Sequence, residues 1–459
     1  MSEKHLSVKE KTAYGIGAVG KDMVYAFVSG FLMYYYNTVL HISATFIGVL
    51  FMAARIFDAI NDPCMGIVVE KTHTRFGKFR PWIFIGTLLN SLILYAMFAV
   101  PEGLEGHSLL VYTSVFYILW GVTYTIMDIP YWSMIPAITE SGKDREQISV
   151  IARSCAGVGF AVPTALTMVL VPILGNGNER AGFKVFAAII SVFFIIALLI
   201  TVTNVKERAV VNQKSSTIKE MVSSLVHNDQ ALIIVISIII FNASLYLTQQ
   251  LAIYFFKYDI GKPELYGLFG TIGGAAQILS MLSLPALRKH FEFKKILVIA
   301  IGTTLVGYTL LFILSTLNIT HIVPLCLGAI IIFLGFGLAT VLTTIFLADT
   351  VDYGEYKNGS RNESVIFSLQ TFVVKLASAI SVFIAGVGLD VIGLDQNVAT
   401  QSESTLFGLR FMMNIIPMIG LIICIIFFIK KYRLDDTMLK KIKLSLNKNS
   451  SSNTPNQSI

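Results

Sequence analysis

Charged residues are scarce in this chain of 459 residues, since Asp, Glu, Lys and Arg make up 14% of it and hydrophobic residues make up 55%. Soluble globular domains carry about 25% charged residues, so most of this protein must use lipid as its solvent. Cysteine is also rare, and the four cysteines have neither paired nor metal-ligand spacing. A disulfide framework is therefore excluded, and no cofactor is expected.

The long apolar runs lack the alternation of polar and apolar residues that membrane barrel strands require. About 20 apolar residues span the hydrocarbon core, and an unsatisfied backbone group there costs several kcal/mol, so each run is predicted to be a helix. The sequence thus predicts an all-α polytopic membrane protein. The predicted helices cover residues 14–39, 46–70, 82–100, 109–136, 148–173, 184–204, 231–256, 265–286, 295–316, 322–348, 364–389 and 406–431.

The formal net charge of +7 could indicate nucleic-acid binding, but the Lys and Arg residues do not lie along one surface. They cluster in the short connections after predicted helices 2 and 8 and after helix 12. The positive-inside rule then places these connections and both termini in the cytoplasm of a multi-pass protein of the bacterial plasma membrane. The expected macromolecular environment is the lipid bilayer, with no nucleic-acid partner and with a monomer as the functional unit.

A polar segment at residues 204–230 divides the predicted helices six and six. We therefore expect an N-terminal six-helix bundle at 1–203, a central cytoplasmic loop at 204–230, a second bundle at 231–433 and a largely disordered cytoplasmic tail at 434–459. This outline resembles the major facilitator superfamily. The loop sequence RFGKFRPW resembles a signature of that superfamily, although positive-inside charge explains the same residues.

Charged residues at bilayer depth are costly and usually face a cavity or a partner, so each is a functional candidate. The predicted helices contain Lys21, Asp22, Arg55, Asp58, Asp62, Asp128, Arg153 and Lys375. Four acids and four bases form a nearly neutral set. The alternative to a binding site is an ion-pair network that only fixes helix packing.

Asp58 and Asp62 lie four residues apart in RIFDAINDP, so both carboxylates occupy one face of helix 2. Like charges at this spacing repel, and either a proton or a bound cation relieves the repulsion. Oxygen ligands suit a small hard cation such as Na+, and Thr125 on helix 4 would add a neutral oxygen. Lys375 on helix 11 would balance the charge of the empty site.

Asp128 and Trp132 are also four residues apart, which pairs a hydroxyl acceptor with a flat apolar ring. A pyranose offers hydroxyls and a C–H face, so this pair suits a sugar, and Tyr124 shares the face. An interfacial anchor is the alternative role for Trp132. Gln370 and Thr371 on helix 11 would close the cavity, although helix–helix hydrogen bonding explains them equally well.

Asp349 and Asp352, in DTVDYGEYK, lie near Arg361 and are interpreted as a salt bridge that gates one conformation. Tyr34, Tyr35 and Tyr36 are expected to be interfacial belt residues, with ligand contacts as the alternative. No nucleophile motif, metal-ligand cluster or nucleotide loop accompanies the paired acids, so the chain is not expected to be an enzyme.

Six motifs resemble those of melibiose-transporting members of the glycoside-pentoside-hexuronide:cation symporter family, and the similarity runs from about residue 12 to about residue 445. The motifs are GIGAVGKD, LMYYYNTV, RIFDAINDP, RFGKFRPWI, YTIMDIPYW and ADTVDYGEYK. The resemblance implies a two-half facilitator fold and alternating-access cotransport of a galactoside, melibiose-like, with Na+, Li+ or H+. A symporter for another glycoside, pentoside or hexuronide, or a cation-independent sugar facilitator, remains the alternative.

The resemblance also implies roles for individual residues. The sugar-site positions of the family match Lys21, Asp22, Asp128, Trp132 and Arg153, with Tyr124, Gln370 and Thr371 nearby. The cation-site positions match Asp58, Asp62, Thr125 and Lys375. Thr340 departs from the pattern, because these family members have a second sugar-side Trp at that position. The identity of the sugar is therefore left open.

Overall fold

The computed structural model describes residues 6–72, 74–139, 142–207, 228–358, 363–398, 400–435, 437–442 and 444–445. Throughout this described part, the regular secondary structure is helical and contains no β-strand. Twelve long helices account for most of it. The expectation of an all-helical polytopic protein is confirmed.

The helices begin and end close to their predicted limits. They are α1 Val8–Val39, α2 Ala44–Glu70, α3 Arg80–Phe98, α4 Gly106–Ile138, α5 Gly142–Leu174, α6 Glu179–Asn204, α7 Asp229–Asp259, α8 Leu265–Arg288, α9 Phe293–Thr316, α10 Ile322–Asn358, α11 Glu363–Val391 and α12 Glu403–Lys431. Three of them include a five-residue π-helical segment, at Tyr35–Val39, Phe255–Asp259 and Phe411–Ile415. Segments of eleven helices are long and apolar enough to cross a membrane. The remaining one, α2, has 27 residues, which exceeds the roughly 20 that a span needs.

The described residues form two compact units. The first unit contains the described residues of 1–215 together with 252–271 and 382–406. It therefore includes α1 to α6 and the chain around the α7–α8 and α11–α12 connections. The second unit contains the described residues of 216–251, 272–381 and 407–459.

Small residues let α1 pack closely against α5 and α6 in the first unit. A Cβ atom added at Gly20 would lie 2.6 Å from the Cβ of Ala197, and one added at Gly159 would lie 2.3 Å from the backbone oxygen of Val19. Close backbone approach of this kind is typical of membrane helix pairs. The motif GIGAVGKD thus places its last two residues, Lys21 and Asp22, among tightly packed helices.

A reciprocal tyrosine pair joins α1 to α4. Tyr14 donates from its hydroxyl to the backbone oxygen of Tyr131 at 2.5 Å, and Tyr131 donates to the backbone oxygen of Tyr14 at 2.5 Å. Their rings stack with centroids 4.5 Å apart. Both hydroxyls are satisfied in the interior, so the pair fixes the position of α4 relative to α1.

The loop RFGKFRPW is held by Glu207, a residue that follows α6 in the sequence. The Glu207 carboxylate accepts from the backbone N–H groups of Lys78 (2.7 Å), Phe79 (2.9 Å) and Arg80 (3.3 Å), where α3 begins. Gly77, with φ +108°, lies against this carboxylate. A side chain at Gly77 would be strained and would displace Glu207, so the glycine has a structural role beyond the charge of its neighbours.

Candidate functional site

Lys21 bridges two carboxylates within the first unit. Its Nζ lies 3.0 Å from Asp22 Oδ2 and 2.8 Å from Asp128 Oδ1. The Lys21 side chain is 3% exposed, whereas those of Asp22 and Asp128 are 18% and 25% exposed. A buried cation therefore holds two acids that remain partly accessible, and accessible carboxylates can accept hydrogen bonds from a ligand's hydroxyl groups.

Trp132 on α4 is in contact with two cationic side chains. Lys21 Nζ is 4.7 Å from the Trp132 ring centroid, and Arg153 Cζ on α5 is 5.5 Å from it. Cation–π contacts at such distances stabilise by about 0.5–2 kcal/mol. The half-buried ring is thus placed at the level of Lys21, and the structure brings together Lys21, Asp22, Asp128, Trp132 and Arg153 from three helices.

Tyr124 connects this cluster with aromatic residues that the sequence analysis did not single out. Its hydroxyl donates to the Lys21 backbone oxygen at 3.3 Å. Its ring lies 5.7 Å from that of Tyr25 and 5.3 Å from that of Trp120. The signal for Trp120 was present in the sequence, because it lies four residues before Tyr124 and therefore on the same face of α4.

The acids of α2 face α4 in matching register. Thr125 Oγ1 donates to Asp62 Oδ1 at 3.1 Å. One turn away, a Cβ atom added at Gly121 would lie 3.1 Å from Asp58 Oδ1. Asp58 and Asp62 therefore oppose Gly121 and Thr125, each pair one helical turn apart. Two carboxylates and a hydroxyl are oxygen donors of the kind that hard cations prefer.

Arg55 is the charged neighbour of Asp58. Its Nη1 lies 3.5 Å from Asp58 Oδ2, and its Cζ lies 5.7 Å from the Tyr25 ring centroid. Because Tyr25 also packs on Tyr124, contacts run continuously from Asp58 to the helix segment that carries Lys21. Arg55 belongs to the set of charges that the sequence places at bilayer depth, but its sequence position indicates no role for it.

In the second unit, Gln370 Nε2 on α11 donates to Thr344 Oγ1 on α10 at 2.9 Å. This is the helix–helix hydrogen bond that was the alternative explanation for Gln370. Thr340 donates its hydroxyl to the Phe336 backbone oxygen at 2.7 Å, within its own helix. Lys375 is half-buried on α11, and the side chain of Thr371 lies outside the described residues.

Arg361 lies outside the described residues, so its proposed salt bridge to Asp349 or Asp352 on α10 stays a prediction. An ion pair that the sequence analysis missed joins the ends of α7 and α10. Lys357 Nζ lies 2.5 Å from Asp229 Oδ1. Both side chains are more than 40% exposed, so solvent screens this pair and it adds little to stability.

The interpretation of three consecutive tyrosines as belt residues is wrong. Tyr34, Tyr35 and Tyr36 are 0%, 0% and 1% exposed. Tyr34 donates to Glu179 Oε2 at 2.8 Å, and Tyr35 donates to the Phe98 backbone oxygen at 2.8 Å. They are interior residues of the first unit, because the π-helical end of α1 is packed on several sides.

Three curated relatives match at least 90% of this chain. It is 29% identical to an uncharacterized symporter, YjmB, of Bacillus subtilis (strain 168), covering 98% of this chain and 97% of that protein. It is 29% identical to an isoprimeverose transporter of Lactiplantibacillus pentosus, covering 90% and 86% of the two chains. It is 25% identical to a lactose permease of Leuconostoc lactis, covering 96% and 72%.

Among solved structures, a nucleoside transporter, NupG, superimposes with a TM-score of 0.67 at 14% identity, covering 92% of this chain and all of that one. At this identity the likeness concerns the fold. The sequence of residues 13–436 matches the family described as MFS/sugar transport protein, and this match covers most of the chain. The chain is therefore a multi-pass membrane protein that belongs to the MFS/sugar transport protein family.

Proposed function

We propose that this protein is a secondary active symporter that couples uptake of a galactoside to Na+, Li+ or H+ by alternating access. The observation that carries the proposal is the register of α2 and α4, which sets Asp58 and Asp62 against Gly121 and Thr125. A carboxylate pair with a neutral hydroxyl is suited to an alkali cation. Placement in the bacterial cytoplasmic membrane with both termini inside belongs to the same proposal.

The sugar would bind to the cluster around Lys21. Asp22 and Asp128 would accept hydrogen bonds from hydroxyl groups, and the Trp132 ring would stack on the C–H face of a pyranose. A family of sugar transporters and a relative named lactose permease support a galactoside. The isoprimeverose transporter supports the alternative of another glycoside, as does Thr340, which stands where the melibiose-transporting relatives have a second Trp.

Coupling would follow from competition for Asp58. Arg55 lies 3.5 Å from Asp58 Oδ2 and partly neutralises its charge. A cation held by Asp58, Asp62 and Thr125 would weaken the hold of Arg55, whose guanidinium lies over Tyr25. Tyr25 in turn packs on Tyr124, so the cation would alter the sugar site. Linkage requires that sugar and cation raise each other's affinity by the same factor.

The test is uptake by the purified protein in proteoliposomes, with labelled lactose, melibiose and isoprimeverose at graded Na+ and Li+ concentrations and at several pH values. We expect Na+ to stimulate uptake of at least one galactoside, and Asp62→Asn to abolish that stimulation. Asp144→Asn is the matched control, because Asp144 is a buried acid of the first unit that accepts from the Leu6 backbone and pairs with Lys11. It should retain stimulation.

Three outcomes contradict different parts of the proposal. Stimulation that survives in Asp62→Asn excludes the assigned cation site but leaves symport intact. Uptake that equilibrates the sugar without any dependence on Na+, Li+ or a proton gradient identifies a cation-independent facilitator. Uptake of isoprimeverose alone would show that the substrate is another glycoside and not a galactoside.

A further inference from the structure

Asp390, near the end of α11, caps the beginning of α2. Its Oδ2 accepts from Ser43 Oγ at 2.7 Å and from the Thr45 backbone N–H at 2.8 Å, and its Oδ1 accepts from the Ala44 backbone N–H at 3.3 Å. The first N–H groups of a helix have no partner inside the helix, and an anion there is stabilised by the helix dipole. This cap comes from a residue more than 340 positions away in the sequence.

Directly beyond the cap, α2 and α11 touch through two glycines. A Cβ atom added at Gly386 would lie 2.3 Å from the Ala44 backbone oxygen and 3.0 Å from the Gly48 Cα. One added at Gly48 would lie 3.2 Å from the Val382 backbone oxygen. The two backbones are in contact with no side chain between them, so the helices can separate without withdrawing interlocked side chains.

A second polar contact lies at the same end of the first unit, where α1 and α7 end and α6 begins. Lys257 Nζ, in the π-helical segment of α7, lies 2.5 Å from Tyr34 Oη and 3.6 Å from Glu179 Oε1. The Lys257 and Glu179 side chains are 24% and 34% exposed, so this ion pair is weak. The positive-inside rule predicts that this end of the helices is extracytoplasmic.

We propose that these three contacts form an outer latch. It is defined as the cap of Asp390 on Ser43, the contact of Gly48 with Gly386, and Lys257 with its partners Tyr34 and Glu179. The outer latch closes the extracytoplasmic entrance and opens once in each transport cycle. Asp390 is its principal positioning residue, because its charge holds the backbone of α2. This inference rests on the alternating access of the proposed function.

The nature of the contacts favours a latch over a permanent joint. The Tyr14–Tyr131 pair joins α1 and α4 by stacked rings and two buried hydrogen bonds, which is suited to a fixed contact. The outer latch consists of a helix cap, a partly exposed ion pair and a glycine contact. The cap also acts on α2, the helix that carries Asp58 and Asp62, so opening the latch would release the end of the cation-binding helix.

The latch can be tested by thiol labelling, an assay that requires neither sugar nor a coupling cation. Gly30 on α1 lies one turn before Tyr34, and a Cβ atom there would meet only Tyr266 Oη, at 3.5 Å. A Cβ at position 30 is therefore tolerated, and Gly30 lies one turn further into the membrane than the latch residue Tyr34. A membrane-impermeant maleimide is added to intact cells that express Gly30→Cys, and the parent with its four native cysteines provides the blank. We expect Asp390→Asn to raise the rate of labelling at position 30 about fivefold to tenfold, since a charged cap has roughly that effect on an equilibrium.

Glu207→Gln is the matched control, because Glu207 also caps a helix from a distant position, but at the opposite end of the first bundle. It should lower thermal stability without raising labelling. Ser43→Ala, which removes one of the three hydrogen bonds to Asp390, should raise labelling by a smaller factor than Asp390→Asn.

Labelling at the parental rate in Asp390→Asn protein of parental stability overturns the inference. If that variant does not accumulate in the membrane, an unchanged rate in Ser43→Ala overturns it. A final arm repeats the labelling with Na+ present. If the labelling rate rises in Asp390→Asn but does not respond to Na+, the latch exists but is not linked to the cation site. This result therefore distinguishes failure of the proposed function from failure of the latch.

Discussion

Thr125→Val tests whether the hydroxyl on α4 is a cation ligand. The substitution keeps the shape of the side chain and removes an oxygen that lies 3.1 Å from Asp62 Oδ1. Thr125 is 6% exposed, so water cannot readily replace the missing oxygen. The expected result is weaker Na+ binding.

The magnitude follows from two opposing effects. An interaction of a polar oxygen with a charged group contributes about 1.5–3 kcal/mol in proteins, and the bound cation loses one such contact. Without Na+, the substitution also removes the hydrogen bond from Thr125 to Asp62, which offsets part of that loss because Asp62 is only half-buried. A net loss of about 1.4 kcal/mol raises the half-saturating Na+ concentration about tenfold.

The assay is a Na+ titration of sugar uptake in proteoliposomes, accompanied by Na+ protection against thermal unfolding. Thr123→Val is the matched control, since Thr123 is also 6% exposed and its hydroxyl accepts from Asn90 Nδ2 at 2.9 Å. It should lower thermal stability and leave the Na+ titration unchanged. A shift of less than twofold in Thr125→Val, or an equal shift in both variants, refutes the assignment of Thr125 to the cation site.

Three further substitutions probe contacts of the first unit. Lys21→Leu leaves two carboxylates without their shared cation, and we expect it to lower the free energy of unfolding by about 2–3 kcal/mol, somewhat less than for a fully buried pair. Adding Asp128→Asn should restore part of this stability in a thermal-unfolding assay, since only Asp22 then lacks the cation, and no gain would contradict the shared-cation geometry. Tyr14→Phe should lower stability by about 0.5–1.5 kcal/mol by removing the hydrogen bond to Tyr131, with an unchanged Na+ titration. Gly386→Val forces α2 and α11 apart and should raise thiol labelling from outside as Asp390→Asn does; parental labelling would show that the glycine contact does not close the entrance.

The membrane class and the helices could be read directly from the sequence, because the need to satisfy backbone hydrogen bonds in lipid leaves helices as the solution for long apolar runs. The predicted limits of most helices lie within a few residues of the observed ones. The largest difference is at α10, which continues to Asn358 and includes DTVDYGEYK. This polar segment extends the helix beyond the apolar run, and hydropathy alone places the end at residue 348.

Helical periodicity likewise predicted which candidate residues share a face. Asp58 with Asp62, and Tyr124 with Asp128 and Trp132, are pairs that a 3.6-residue repeat fixes within one helix. Charge at bilayer depth then identified Lys21 and its neighbours as candidates.

Periodicity does not specify which helix faces which, and that information came only from the tertiary structure. The Thr125 hydrogen bond to Asp62, the approach of Arg55 to Asp58 and the contact of Tyr25 with Tyr124 all depend on how α1, α2 and α4 pack. Tyrosines of an interfacial belt and buried tyrosines occur in the same sequence pattern near a helix end, so the sequence alone did not show that Tyr34 is buried. The Asp390 cap on α2 joins residues hundreds of positions apart. The N–H groups at the start of a helix can donate to any carboxylate that lies close to them in the fold, so the sequence around Asp390 does not indicate which helix it caps.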